Sequence, residues 1–196
     1  MARILILDGH PNSDSYCSAI ADRSLLSARR AGADVRLLRI RDLTFDPILH
    51  HGYRKAMQWE QDLELAWEAL QWSKHQVWIH PTWWGGMPAS MKGFIDRLFL
   101  PGKAFASKPN TIRIDGLLHG RSARIITTLD QPRWWYHLTV RAPGIHQLRD
   151  ATLRFSGVRP VRVTALGIIR TSTAEQRERW LETVDRTIAR DVERVL

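Results

Sequence analysis

The segment Gln76-Val77-Trp78-Ile79, followed by His80-Pro81-Thr82-Trp83-Trp84-Gly85-Gly86-Met87-Pro88 and then Ala89-Ser90-Met91-Lys92-Gly93-Phe94-Ile95-Asp96-Arg97-Leu98-Phe99, decides the fold. The first part is a short apolar run of strand type. In the last part Met91, Ile95 and Leu98 recur at helical spacing. The order is therefore strand, loop, helix. Two adjacent Trp beside two Gly are unusual in a loop, because large rings bury little there while Gly gives up side-chain contacts for close backbone approach. A flat, partly apolar ligand lying against the backbone accounts for both. The plainer reading is that Trp83 and Trp84 cap the core at the strand end.

The same strand–loop–helix unit occurs at the start of the chain. Arg3-Ile4-Leu5-Ile6-Leu7-Asp8 is nearly continuous in apolar residues, as expected for a central parallel strand covered on both faces. It runs into Gly9-His10-Pro11-Asn12-Ser13-Asp14-Ser15-Tyr16-Cys17. Beyond it Cys17, Ile20, Ala21, Ser24, Leu25 and Ala28 keep a helical period as far as Gly32. A hydroxyl-rich loop between a strand's carboxyl end and a helix's amino end favours an anion, although Ser13 and Ser15 also suit as ordinary N-caps. The loop lacks both the dinucleotide fingerprint G-x-G-x-x-G and the Gly-Lys-Ser/Thr of a P-loop, so a phosphate here is expected on hydroxyls and main-chain amides.

The remaining elements follow the same alternation. Asp34-Val35-Arg36-Leu37-Leu38-Arg39-Ile40 reads as an edge strand, and Trp59, Leu63, Ala66 and Leu70 mark a helix face, with Glu60, Glu64 and Glu68 on another. The turn-rich residues 101–120 read as an excursion or short hairpin. Ala123-Arg124-Ile125-Ile126-Thr127-Thr128 is a fourth strand entering the aromatic loop Leu129-Asp130-Gln131-Pro132-Arg133-Trp134-Trp135-Tyr136-His137. A helix carrying Leu148, Thr152 and Phe155 precedes a fifth strand over residues 160–169. A last helix is expected to begin at a capping box on Ser172 and Glu175 and to bury Leu181, Val184, Ile188, Val192 and Val195. The sum is a single α/β domain over residues 1–196, a doubly wound five-stranded parallel sheet of order 2-1-3-4-5 with helices on both faces. In that order the carboxyl ends of strands one, three and four lie side by side, where open α/β sheets bind ligands.

Composition narrows the classes. A 196-residue chain with 44% hydrophobic residues suits one domain with a sizeable core. No run is long and apolar enough for a membrane span, and the chain enters a strand directly, so a soluble cytoplasmic protein is expected. The single cysteine, Cys17, rules out an internal disulfide framework. His50, His51, His75 and His80 lack ligand spacing, so no metal site is expected. The net charge is +9, and residues 101–170 carry all of the excess, 12 Lys/Arg against 3 Asp/Glu. That excess lies in loops and strands rather than along one helix, and no groove-reading element is recognisable, so nucleic acid is not expected as a partner.

An anion cradle bearing hydroxyls, with two walls of large rings and Gly, suits a phosphorylated, flat ligand. Here the sequence resembles the flavodoxin-like NAD(P)H:quinone oxidoreductases, which include ancillary flavoproteins of potassium-efflux systems. The resemblance covers about residues 3–170 and is strongest over residues 81–97, reinforced by His10-Pro11, Ser15 and Gly144-Ile145-His146. It implies that His10, Ser15, Tyr16 and Cys17 hold a flavin phosphate, and that Pro81, Thr82, Trp83, Trp84 and Gly85 meet the isoalloxazine edge. Thr127 and Thr128 match a third contact loop, in which Leu129 and Asp130 stand where the family often has two Gly. Tyr136 matches a residue that stabilises charge on the reduced ring, and His146, with His137 as fallback, one that delivers a proton. The implied cofactor is FMN, alternatively FAD, with NAD(P)H as donor and a quinone-like acceptor in a ping-pong cycle with hydride transfer through flavin N5. A homodimer is also implied, with Trp59, Trp67 and Trp72 as interface candidates, as is docking to a membrane transporter. The alternative functions are an electron-carrier flavodoxin and a regulatory flavoprotein subunit of a transporter.

Overall fold

A computed structural model describes residues 1–108 and 111–195. In chain order the elements are β1 (Arg3–Asp8), α1 (Tyr16–Arg30), β2 (Asp34–Arg39), α2 (Gln61–Trp72), β3 (His75–Pro81), α3 (Ala89–Leu98), β4 (Phe105–Ser107), β5 (Ile114–Gly116), β6 (Ser122–Leu129), α4 (Arg133–Leu138), α5 (Pro143–His146), β7 (Val161–Gly167) and α6 (Ala174–Glu193), with a wider helical turn at Gln147–Arg154. Five parallel strands pair in the order β2-β1-β3-β6-β7. This is the expected 2-1-3-4-5 order once the antiparallel β4–β5 hairpin, the excursion read at residues 101–120, is set aside.

The continuous apolar run of β1 is explained by coverage on both faces. Ile4 and Ile6 pack with Ile20 of α1 and with Val184, Ile188 and Val192 of α6. Leu5 and Leu7, pointing the other way, pack with Leu63 and Leu70 of α2 and Phe94 and Leu98 of α3. β2 alternates exposed and half-buried residues, as an edge strand should.

Three local expectations are corrected. The cap of α6 is Thr173, whose side chain accepts from Gln176 N at 3.3 Å while Gln176 Oε1 accepts from Thr173 N at 3.0 Å; Ser172 instead donates to Ile169 O. The box therefore lies one residue beyond the Ser172–Glu175 pair. At Gln147–Arg154 the backbone closes i→i+5 hydrogen bonds, as from Phe155 N to Asp150 O at 3.2 Å. That wider turn buries Leu148 and Leu153 and leaves Phe155 exposed, so a 3.6-residue period misplaces the face. Glu60 is not on a solvated helix face; it precedes α2 and pairs with the buried Arg97 at 2.8 Å. Trp59 and Trp67 pack together against the core, and Trp72 lies under the Arg36 guanidinium, so all three have partners within the chain.

At the amino end of the sheet Asp191 of α6 is buried beneath Arg124 and His75. Burial alone would raise its carboxyl pKa, but the His75 and Arg124 contacts outweigh burial and hold it well below the usual carboxylate range. Replacing Asp191 by Ala leaves the Arg124 charge buried without a partner. We expect Asp191→Ala to lower unfolding free energy by about 3 kcal/mol or more in urea titrations. An unchanged denaturation midpoint would mean that the pair contributes nothing.

Candidate functional site

The carboxyl ends of β1, β3 and β6 are neighbours in the sheet, and each feeds one loop. After β1, the buried carboxylate of Asp8 organises the turn. Asp8 accepts from His10 N at 3.0 Å, Ser18 Oγ at 2.8 Å and Arg41 Nη1 at 2.6 Å. A buried carboxylate needs such partners, and together they hold the turn against the start of α1. Ser15 is the N-cap of α1, accepting from Ser18 N at 3.1 Å. Among the described residues the amides of Tyr16 and Cys17 have no hydrogen-bond partner, so two N–H groups at the positive end of the helix dipole remain for an anion.

The side chains around those amides are neutral. His10 Nδ1 accepts from Asn12 N at 3.0 Å, so Nε2 carries the proton, and burial lowers the ring's pKa. Burial pushes Tyr16 up to about 12, and its hydroxyl donates to Arg177 O at 2.7 Å. Burial also pushes the Cys17 thiol up to about 12, so Cys17 packs beside Thr128 as a thiol rather than a thiolate nucleophile.

The loop after β3 turns sharply. Trp83 N donates to Gly86 O and Gly86 N to Trp83 O, both at 2.9 Å, which closes a two-residue turn with Trp84 at φ +50° and Gly85 at φ +79°. Positive φ suits Gly85 but is uncommon for a bulky side chain such as Trp84. Trp84 is 106% exposed and Trp83 46% exposed, so neither caps the core.

Two contacts fix the turn. The Gly85 carbonyl accepts from Tyr136 Oη at 2.9 Å and from Gly144 N at 2.8 Å. Gly144 has to be Gly: a Cβ there would stand 2.6 Å from Gly85 O and 2.9 Å from Gly86 Cα. The loop after β6 is joined to the same turn, since Thr82 N donates to Thr128 O at 2.9 Å and the Thr82 and Thr127 hydroxyls meet at 2.8 Å. Asp130 Oδ1 accepts from Arg170 N at 2.8 Å and so ties this loop to the end of β7.

The three loops enclose two adjoining cavities that share Thr82, Leu129 and Asp130. The inner one, about 160 Å³, is lined by His10, Tyr16, Cys17, Pro81, Trp83 and Thr128 as well. The outer one, about 400 Å³, adds Trp84, Gly85 and Val140. Most of the residues singled out from the sequence therefore meet here. Ser15 and Thr127 support the lining from behind, and Tyr136 is fully buried with its hydroxyl on the turn. His146 lies apart from both cavities, exposed, with Nδ1 2.9 Å from Asp150 Oδ2. His137 lines a roomier neighbouring cavity of about 730 Å³ with Trp134 and Trp180.

Sequence reasoning missed Asp8 and Arg41. A charged residue ending an otherwise apolar strand was the available signal for Asp8, while nothing local marks Arg41 as its partner. The lining, with an amide-bearing anion cradle beside exposed indoles and a Gly-containing turn, fits a flavin phosphate and ring. Among the described residues no group of His, Cys, Asp and Glu is arranged to hold a metal ion.

Two measurements test this construction. Gly144→Ala should displace the turn and cost roughly 1–3 kcal/mol of stability by overpacking; an unaltered melting temperature would contradict the clamp. His80, buried at the end of β3 with Nδ1 2.9 Å from Pro81 O, has its pKa pushed down to about 4 by burial. The unfolded chain binds a proton there below about pH 6.5 while the folded chain does not until about pH 4. Stability contributed by this group is thus full above pH 6.5 and lost as pH falls toward 4, by up to about 3 kcal/mol. In His80→Gln the pH dependence over that window should flatten, and an identical slope would refute the assignment.

A family model described as a flavodoxin-like fold matches residues 2–188. A Haemophilus influenzae protein named as an uncharacterized NAD(P)H oxidoreductase is 30% identical over 135 residues, 64% of this chain and 63% of that one. A Deinococcus radiodurans NAD(P)H dehydrogenase (quinone) is 28% identical over 108 residues, 50% of this chain and 54% of that one. The matches thus span less than two thirds of the length of either curated relative. An FMN-dependent NADH-azoreductase of Bacillus anthracis, crystallised with FMN, superposes with a TM-score of 0.73 at 17% identity over 98% of this chain and 100% of that one, a likeness of fold. With the strand order, the three converging loops and a family match along nearly its whole length, the chain belongs to the flavodoxin-2 family of flavodoxin-like fold.

Proposed function

We propose that the protein is a flavin-dependent NAD(P)H oxidoreductase whose acceptors are quinones or similar electrophiles, with FMN as cofactor and FAD as the alternative. One observation carries the reading: two exposed indoles and two free helix-terminal amides converge on one pair of joined cavities. The names of the curated relatives and the FMN of the azoreductase support the same class. A flavin held here would supply the redox chemistry, hydride exchange through N5 between NAD(P)H and the acceptor in a ping-pong cycle.

The chain's own residues bind and orient. Tyr16 N and Cys17 N would hold the phosphate, with His10 Nε2–H as a neutral donor. The turn at Trp83, Trp84 and Gly85 presents indole faces and backbone to the ring, while Thr82, Thr127 and Thr128 tie it to β6. Tyr136, whose pKa burial raises, stays protonated and holds the Gly85 carbonyl. His146 is proposed as the proton donor, its ring oriented by Asp150, with His137 as the alternative. Trp84, Trp134, Trp135 and Leu138 leave an apolar rim exposed beside the cavities, which supports a homodimer that covers the rim. Among the described residues no helix is long and apolar enough to cross a membrane.

The deciding experiment is an absorption spectrum of the purified protein, mass identification of the flavin released on denaturation, and NADPH oxidation with a quinone. A colourless protein that refuses added FMN and FAD overturns the reading, and bound flavin without NADPH oxidation makes the protein an electron carrier. Trp83→Ala should weaken flavin retention roughly tenfold, about 1.4 kcal/mol. Tyr136→Phe and His146→Gln should retain flavin and slow turnover about tenfold or more. Unchanged kinetics in all three would remove the site assignment, and loss in His137→Gln alone would move the proton donor there. Sedimentation equilibrium should show two chains per particle.

A further inference from the structure

The opposite end of the sheet carries a second concavity, about 720 Å³, whose lining includes Arg3, Lys74, Arg121, Ser122, Arg159 and Arg194 but no Asp or Glu. These residues come together because parallel strands start at one end. Arg3 opens β1, Lys74 precedes β3, Ser122 opens β6, and Arg159 lies just before β7. Two of the cations, Arg121 and Arg159, belong to the stretch that carries the chain's charge excess.

We infer that this end of the sheet is an anion site that takes a small ligand bearing two or more phosphate groups. Three observations support it. Among the described residues Arg3, Lys74, Arg121 and Arg159 have no carboxylate within 4.0 Å, and Arg194 reaches only Asp191, at 3.5 Å. Arg121 is held in place by carbonyls, donating to Leu70 O at 3.3 Å, His119 O at 3.1 Å and Gln71 O at 2.9 Å. Its donors are largely committed, so it contributes a fixed charge, while Lys74 and Arg159 project freely enough to hydrogen-bond a ligand. Ser122 Oγ, fixed 2.8 Å from His75 Nδ1, adds a positioned hydroxyl to the floor. Burial lowers the pKa of Arg121, and the neighbouring Arg3 acts in the same direction.

The shape selects the ligand class. The cations converge on one concavity from five separate segments, whereas a duplex needs a stripe of charge and a membrane surface needs a flat or protruding one. Single phosphates satisfy one or two of these cations; a di- or triphosphate satisfies the set. The inference does not depend on the proposed flavin chemistry, since the two sites lie at opposite ends of the strands.

The test titrates inorganic tripolyphosphate and, separately, ATP into the full chain at low salt by calorimetry, with and without saturating FMN. We expect one ligand per chain, binding unaffected by FMN, and affinity at least tenfold weaker in Lys74→Gln/Arg159→Gln, two exposed changes that should leave the melting temperature unaltered. Equal affinities for the two ligands assign recognition to the phosphates, and tighter ATP binding assigns it to a nucleoside polyphosphate; either upholds the site. No saturable binding at millimolar ligand, equal affinity in the double variant, or competition by FMN overturns it. If the protein takes no flavin at all, the double variant still decides the question, so failure of the two readings can be told apart.

Discussion

A parallel sheet buried on both faces leaves only its two ends for polar chemistry, and that constraint governs this molecule. β1, β3 and β6 are closed off above and below by α1 and α6 on one side and α2 and α3 on the other. Loops, helix termini and unpaired amides are therefore forced to the strand ends. At the carboxyl end the result is an amide-lined cradle walled by indoles; at the amino end it is a gathering of strand-opening cations. Because the five strands are parallel, every turn from a strand into a helix falls at the same end of the sheet.

Within the cradle, precision comes from backbone rather than from charge. The Gly85 carbonyl takes donors from Tyr136 and Gly144, and Thr82 ties the same turn to β6. Held on both sides, the turn can keep Trp84 at a positive φ that a free loop would relax away. His10, Tyr16 and Cys17 are all neutral in this setting. The attraction for an anion thus rests on N–H groups and the α1 dipole. That arrangement tolerates the Asp130 carboxylate in the cavity lining, because the Asp130 side chain is occupied by Arg170 N.

The readings that failed did so for local reasons. The Gln147–Arg154 turn is wound more widely than an α-helix, so Leu148 shares its buried face with Leu153 rather than with the Thr152 and Phe155 that a 3.6-residue period assigns to it. At α6, Ser172 and Thr173 are equally good caps by composition, and only the hydrogen bond from Gln176 N separates them. His146, the proposed proton donor, is a different case: it lines neither cavity of the single chain, and the residue of Gly144-Ile145-His146 that meets the turn is Gly144.

Sequence alone determined the alternation of strands and helices, the edge character of β2 and the three loops at strand ends. It did so because burial on two faces, helical period and Gly-rich turns are written in neighbouring residues. Tertiary structure alone decided that Arg41 neutralises Asp8, that Glu60 serves Arg97, that Tyr136 and Gly144 share one carbonyl, and that five cations from distant segments face a single hollow. Those are pairings across tens of residues, set by which strands lie side by side, and no local pattern encodes them.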